Sequence, residues 1–201
     1  PPGLCGSHQT CRKTSKKAKT MNEHVNLIGN EMDNRKLRWS RRLATVPRWS
    51  VVPTLKPQND AEHCYHVAQI TRWLVTKYHR QGTDERFVSL CVMYALDHDI
   101  REAAEGDSPS PSKPFNTPTV PHRAVVKCAD VIEAILHMHQ EALMGNGYNA
   151  HPVLTELRER FRRVWENFDS VHRVEPYEVV SDVIRACYPS DGSPVHPGME
   201  Q

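Results

Sequence analysis

The sequence predicts an all-α fold, and three observations carry the prediction. Apolar residues recur at three- and four-residue spacing through successive stretches. Strand-like alternation is absent apart from the short run "WSVVPTL". Prolines and glycines fall between the periodic stretches or at their edges, where helices begin and end. Residues 22–44 hold room for one helix, broken before Pro47. Residues 60–80 carry Val67, Ile70, Leu74, Val75 and Tyr78 at helical spacing. The next helix opens after Gly82 with Thr83 as its N-cap and Asp84 and Glu85 in the first turn, where acids suit the helix dipole. Its stripe runs Phe87, Leu90, Cys91, Tyr94, Ala95 and His98. The run "GDSPSPSKPFNTPTVP" is too proline-rich for helix. Helices are expected again over about 122–143 and 152–168, the latter on Leu154, Leu157, Phe161, Val164, Trp165 and Phe168. A last one opens at Pro176, a favourable first helical position, and carries Val179, Val180, Val183 and Ile184. No internal repeat is visible.

Length and charge narrow the function. The chain has 201 residues, enough for one domain with a core, and 26 Lys and Arg against 24 Asp and Glu give a formal net charge of +2. That balance does not suit a nucleic-acid partner. No stretch approaches the roughly 18 apolar residues of a membrane span, and none reads as a secretory leader. The expectation is a cytoplasmic protein with no membrane partner. Residues 1–20 are basic and aperiodic and read as a flexible tail or a cloning remnant, 21–190 as a single domain, and 191–201 as a flexible C-terminal tail. The basic cluster Arg12, Lys13, Lys16, Lys17 and Lys19 reads as a solvated run rather than a nucleic-acid arm. Six cysteines (5, 11, 64, 91, 128 and 187) form no CxxC pair. They read as free thiols, most of them buried.

The chemistry gathers around "YALDHDIRE", residues 94–102. Spacing puts His98 on the buried face of its helix, Asp99 follows at once, and Glu102 stands one turn further. An acid buried beside an imidazole costs several kcal/mol unless something compensates it, and a divalent cation does so. Two other segments offer partners. His63 stands near the start of its helix in "NDAEHCYHVAQ", and Asp130 interrupts the apolar helix "VVKCADVIEAIL". His63, His98, Asp99 and Asp130 would meet if the three helices pack together. Spacing alone leaves the other reading open: His63 as a cap or surface residue, His98 as a satisfied core histidine, and Asp130 paired with Lys127 or His137.

These residues resemble the H…HD…D pattern of the HD-domain superfamily of metal-dependent phosphohydrolases. The surroundings are more specific than the dipeptide. "RWSVVPTLKPQNDAEH" followed by "HDIREAAEGDSPSPSK" resembles both the bacterial 5′-deoxynucleotidases of YfbR type and the phage dATP triphosphohydrolases of DatZ type. Every fixed position of HD-x-x-E-x-x-x-G-D-x-P-[ST]-P-x-K is present: His98, Asp99, Glu102, Gly106, Asp107, Pro109, Ser110, Pro111 and Lys113. The resemblance implies a single HD-domain helical bundle in which His63, His98, Asp99 and Asp130 hold one divalent ion (Co, Mn, Zn, Fe or Mg). It implies that Glu102 and Asp107 orient or deprotonate the attacking water. It further implies that Arg48 and Lys113 neutralise phosphate, and that Trp49 packs on the sugar or base, in the nucleotidases leaving no room for a 2′-hydroxyl. Lys56, Arg101 and Arg123 are further candidate cations.

The implied function is hydrolysis of a deoxynucleotide. The first reading is a 5′-deoxynucleotidase releasing phosphate from a monophosphate; the alternative is a triphosphohydrolase releasing nucleoside and triphosphate. A non-catalytic nucleotide-binding protein is the remaining class. A homo-oligomer, dimer or larger, is implied as well. Three features depart from the resemblance: the interval from Asp99 to Asp130 is short, "MGNGYNAHP" matches no specificity motif, and the stretch before Met21 has no counterpart.

Overall fold

The computed structural model describes residues 34, 36–106, 121–170 and 174–188. Among them the only regular elements are helices: α1 over 36–43, α2 Asp60–Tyr78, α3 Glu85–Asp97, α4 Glu102–Glu105, α5 Pro121–Leu143, α6 Gly147–Trp165 and α7 Pro176–Cys187. The all-α expectation holds. The expected tails, residues 1–20 and 191–201, lie outside the described residues, as do Asp107, Lys113 and the prolines between them.

The central element is α5, which packs on α2, α3 and α6, while α7 lies against α6. Its composition explains this position. Val125, Ala129, Ile132, Ile135 and Met138 are all buried, and small residues at Ala124, Ala129 and Ala134 let neighbouring helices approach. From α2 come Val67, Leu74 and Val75, and from α6 Leu154, Phe161 and Val164, into one continuous core. Trp165 stacks on Phe168 with ring centroids 4.3 Å apart and donates its indole N–H to Val174 O at 3.0 Å. The apolar faces of α6 and α7 are therefore core within one chain. A second small cluster joins Leu43 of α1, Cys64 of α2 and Ala103 of α4, with Trp39 and Ile100 against it. This cluster seats α1 over the turn that follows α3, and Lys36 reaches Asp97 at 2.8 Å.

The structure shifts several expected boundaries. Asp84, not Thr83, caps α3: its side chain accepts from Arg86 N, as a carboxylate does at a helix N-terminus. The helix ends at Asp97, so His98 and Asp99 stand in the following turn rather than on the helix itself. Leu90, expected on the buried stripe, is half exposed. The turn between α2 and α3 requires Gly82, because a Cβ there would lie 2.3 Å from Val75 O. α6 begins at Gly147, five residues before the expected start, with Pro152 inside it. Proline fits helical φ and here removes one hydrogen bond near the exposed N-terminal end. "WSVVPTL" forms no strand; the 48–58 segment is a loop closed at its base by an isolated Pro47–Asn59 bridge. Cys64, Cys91 and Cys128 are buried free thiols as expected, whereas Cys187 is exposed.

Phe161 is 1 % exposed and touches the α6 side of the core. Phe161→Ala should destabilise the fold by about 3–5 kcal/mol through lost burial and the cavity left behind. Urea denaturation of the two proteins measures this directly.

Candidate active site

The N-terminal turn of α2, the turn after α3 and the middle of α5 converge on His63, which is fully buried. Its helix is set by Asn59, whose side chain caps Glu62 N, and by Asp60 N donating to Val46 O at 3.1 Å. The two ring nitrogens of His63 face different partners. Nδ1 lies 2.6 Å from Glu133 Oε2. Nε2 lies 3.5 Å from Asp99 Oδ2 and 3.4 Å from Asp130 Oδ1. His98 repeats the arrangement: Nδ1 lies 2.7 Å from Ala95 O, and Nε2 lies 3.2 Å from Asp99 Oδ2. A carbonyl or an ionised carboxylate only accepts, so Nδ1 carries a proton in both rings and each Nε2 turns inward to the carboxylates. Both Nε2 atoms are buried without a hydrogen bond. The ligating atoms of His63, His98 and Asp99 all lie within 4.8 Å of one another. Asp130 adjoins this group through His63, while its other oxygen is held by Lys127.

The charges strain against burial. Burial pushes the Asp99 carboxyl up, but the neighbouring His98 charge and the hydrogen bonds of both histidines hold it far below the usual carboxylate range. Asp130 is likewise held down, against burial, by Lys127 and His63. Burial works against a charged His98 ring, yet Asp99 beside it drives its pKa up to about 10. The set thus keeps its carboxylates ionised and attracts positive charge. Two inward imidazole nitrogens and two anionic oxygens fit a divalent cation of borderline character, with Glu133 and Ala95 O supplying the outer contacts that orient the rings.

Arg48 and Trp49 stand at the rim, at the start of the 48–58 loop. Arg48 Nη1 lies 3.2 Å from Asp60 Oδ1 and 3.3 Å from Asp99 Oδ2, and its buried Nε has no hydrogen bond. Trp49 adopts φ 62°, rare for a bulky residue. Its indole stacks on the His137 ring at 5.3 Å and 7°, and Nε1 donates to Gln58 Oε1 at 2.9 Å. Glu102 begins α4 one turn beyond Asp99, half buried, with its amide donating to Asp99 O at 2.8 Å. The structure therefore brings Arg48, His63, His98, Asp99 and Asp130 together, with Trp49 linked to them through Gln58. Arg101 and Arg123 are exposed; Arg123 lies over the Tyr94 ring instead.

Sequence reasoning passed over Glu133 and Glu141 and took His137 only as an alternative partner of Asp130. Glu133, His137 and Glu141 follow Asp130 at intervals of three, four and four and so share its helix face. That polar stripe on an otherwise apolar helix was the available signal. Glu141 accepts from Leu55 N at 2.7 Å, Lys56 N at 2.8 Å and Asn146 Nδ2 at 2.7 Å. Asn146 Nδ2 also donates to Pro53 O at 2.8 Å. The unrecognised "MGNGYNAHP" run thus helps hold the 53–56 loop beside the site.

The family model described as 5′-deoxynucleotidase YfbR-like matches residues 37–122. A dATP triphosphohydrolase of Acinetobacter phage SH-Ab 15497 is 29% identical over 173 residues, 68% of this chain and 85% of the relative. One of Salmonella phage PMBT28 is 31% identical over 147 residues, 61% of this chain and 74% of the relative. Among solved structures, the cyanophage S-2L HD phosphohydrolase DatZ, bound to dA and one catalytic Zn²⁺ ion, aligns with a TM-score of 0.54 at 24% identity. It covers 75% of this chain and 94% of its own, and shares the helical fold described above.

Burial raises the Glu141 carboxyl, but the amides of Leu55 and Lys56 and the Asn146 side chain outweigh it, so its pKa lies below the ordinary value. Its contribution to stability is complete above the unfolded value of about 4.3 and is lost as pH falls through the folded one. Glu141→Gln should therefore be less stable than the parent at neutral pH and lose less stability between about pH 5 and pH 3. Urea midpoints across that range report the difference.

Proposed function

Because this chain belongs to the YfbR-like HD phosphohydrolases, we propose that it hydrolyses the 5′-phosphoester of a deoxynucleotide at one divalent ion held by His63, His98, Asp99 and Asp130. The observation that carries this reading is the pair of buried, hydrogen-bond-free Nε2 atoms turned toward ionised carboxylates. When bound, such an ion acidifies water and polarises a phosphoryl oxygen. The chain's own residues do the rest. With their Nδ1 protons held by Glu133 and Ala95 O, His63 and His98 would offer Nε2 to the ion. Arg48, already leaning on Asp99, takes a non-bridging phosphate oxygen with the part of its fork that the carboxylates leave over. Glu102 and Asp107 orient the attacking water and accept its proton. Lys113 neutralises further phosphate charge. The water oxygen bonds to the α-phosphorus, the bond to the 5′-oxygen breaks, and the leaving oxygen takes a proton. Trp49, fixed by its stack and hydrogen bond, stands against the sugar and excludes a 2′-hydroxyl.

Two substrates share this chemistry. The phage relatives matched over most of their length carry the name dATP triphosphohydrolase, which supports a deoxynucleoside triphosphate, split into nucleoside and triphosphate. The family model, whose matched span takes in Arg48 and the HD turn, supports a deoxynucleoside monophosphate, split into nucleoside and phosphate. Residues 21–190 act as one catalytic domain. Exposed Leu37, Leu90, Met93 and Leu96 support association into a homo-oligomer. No helix among the described residues is long and apolar enough to cross a membrane.

Incubation with Co²⁺ or Mn²⁺ and a panel of deoxynucleoside mono- and triphosphates should yield nucleoside, with either phosphate or intact triphosphate as the second product. No turnover with any metal would leave a nucleotide-binding protein. His63→Ala and Asp130→Ala should lose both bound metal and turnover; a variant that keeps its full metal content removes that residue from the ligand set. Glu102→Gln should keep the metal and lose about 10²–10⁴-fold in rate, read from metal content and initial rates on one preparation.

A further inference from the structure

The rim and the centre of the site are joined by an unbroken polar chain. Trp49 Nε1 donates to Gln58 Oε1 at 2.9 Å. Gln58 Nε2 donates to Glu133 Oε1 at 2.6 Å. The other Glu133 oxygen lies 2.6 Å from His63 Nδ1. Gln58, Glu133 and His63 are all buried, at 5 %, 2 % and 0 % exposure, so water does not readily substitute for a lost link.

Donor and acceptor chemistry gives the chain a single direction. Indole nitrogen only donates, so Gln58 must turn its oxygen to Trp49. That turn aims its NH₂ at Glu133, which the carboxylate accepts. Each Glu133 oxygen faces one nitrogen, Gln58 Nε2 on one side and His63 Nδ1 on the other, both at 2.6 Å. The carboxylate therefore accepts from both, which fixes the Nδ1 proton of His63 and leaves Nε2 to face Asp99 and Asp130. Reversing any link reverses the next. Amide orientation, imidazole tautomer and indole position are thus one choice rather than three.

We propose that Gln58 and Glu133 are positioning residues that lock the sugar-facing indole of Trp49 and the metal-ligating face of His63 into one unit. The distance between the sugar wall and the reacting phosphorus is then set by this chain. The strained φ of Trp49 fits the idea. A bulky side chain in the left-handed region persists only where its surroundings over-determine it, and here the His137 stack and the Gln58 bond both do so. The loop base adds a third anchor, because Arg48 N donates to Gln58 O at 2.9 Å. One peptide segment thereby ties the phosphate-facing arginine, the indole and the relay amide together. The sugar-wall half of this proposal rests on the deoxynucleotide reading above; the His63 half does not.

The test uses the full chain loaded with Co²⁺, whose visible absorption reports the ligand field and whose titration gives an affinity. Gln58→Leu should weaken Co²⁺ binding by up to about tenfold, the low end of what losing a ligand's own hydrogen-bond partner costs, because Gln58 acts on His63 through Glu133. It should also shift the absorption band and lower the ratio of deoxyribo- to ribonucleotide turnover. Trp49→Phe keeps an aromatic ring and removes the indole N–H together with the five-membered ring. It should shift the same Co²⁺ band, and adding it to Gln58→Leu should change the band no further. Glu133→Gln should weaken Co²⁺ most, because an amide cannot accept from both neighbours, while Glu133→Asp should recover part of the affinity. Unchanged Co²⁺ affinity and spectrum in folded Gln58→Leu would overturn the relay. If Gln58→Leu does not fold, a Trp49→Phe spectrum identical to the parent's would do the same. Should the parent turn over no deoxynucleotide, the function proposed above fails, and the Co²⁺ readings still decide the coupling between Trp49 and His63.

Discussion

The two-sided engagement of His63 is the constraint on which the rest of the structure depends. One nitrogen is given to Glu133, and the other faces Asp99 and Asp130. A fully buried ring with a carboxylate on each side costs desolvation energy that packing cannot return. The surroundings therefore supply positive charge: Arg48 against Asp60 and Asp99, and Lys127 against Asp130. Under the proposed ligand set, a divalent ion would complete that compensation between the two inward Nε2 atoms and the carboxylates.

The helices divide the labour between support and chemistry. α5 is the hinge of the division. One face feeds Val125, Ala129, Ile132 and Ile135 into the apolar core. Another carries Asp130, Glu133, His137 and Glu141, each engaged by a different part of the site or its loop. A helix so heavily buried on both faces has little freedom to shift, which suits residues that must hold their positions to fractions of an ångström. The 48–58 loop, by contrast, has no regular structure of its own. It is held by side chains: Glu141 at Leu55 and Lys56, Asn146 at Pro53, Gln58 at Trp49. A loop fixed in this way can bring backbone and side chains close to a ligand where a strand would have kept them in a sheet.

The sequence by itself determined the helical class and the approximate positions of most helices, and it marked His98 and Asp99 as a chemically loaded turn. These are local signals, since period, caps and a fixed motif depend on residues within a few turns of one another. His63, His98, Asp99, Asp130, Arg48 and Trp49 were legible because a contiguous motif or a misplaced polar residue marks each one. Tertiary structure decided what no local signal contains: that three separate segments meet at His63, that α6 begins before Pro152, and that "WSVVPTL" is a pinned loop. It also decided which buried acids matter. Glu133 and Glu141 read as ordinary helix residues along the chain. Their role appears only when α2 and the 48–58 loop are laid against α5, because a hydrogen bond between residues 75 or 86 positions apart leaves no trace in the spacing of either segment.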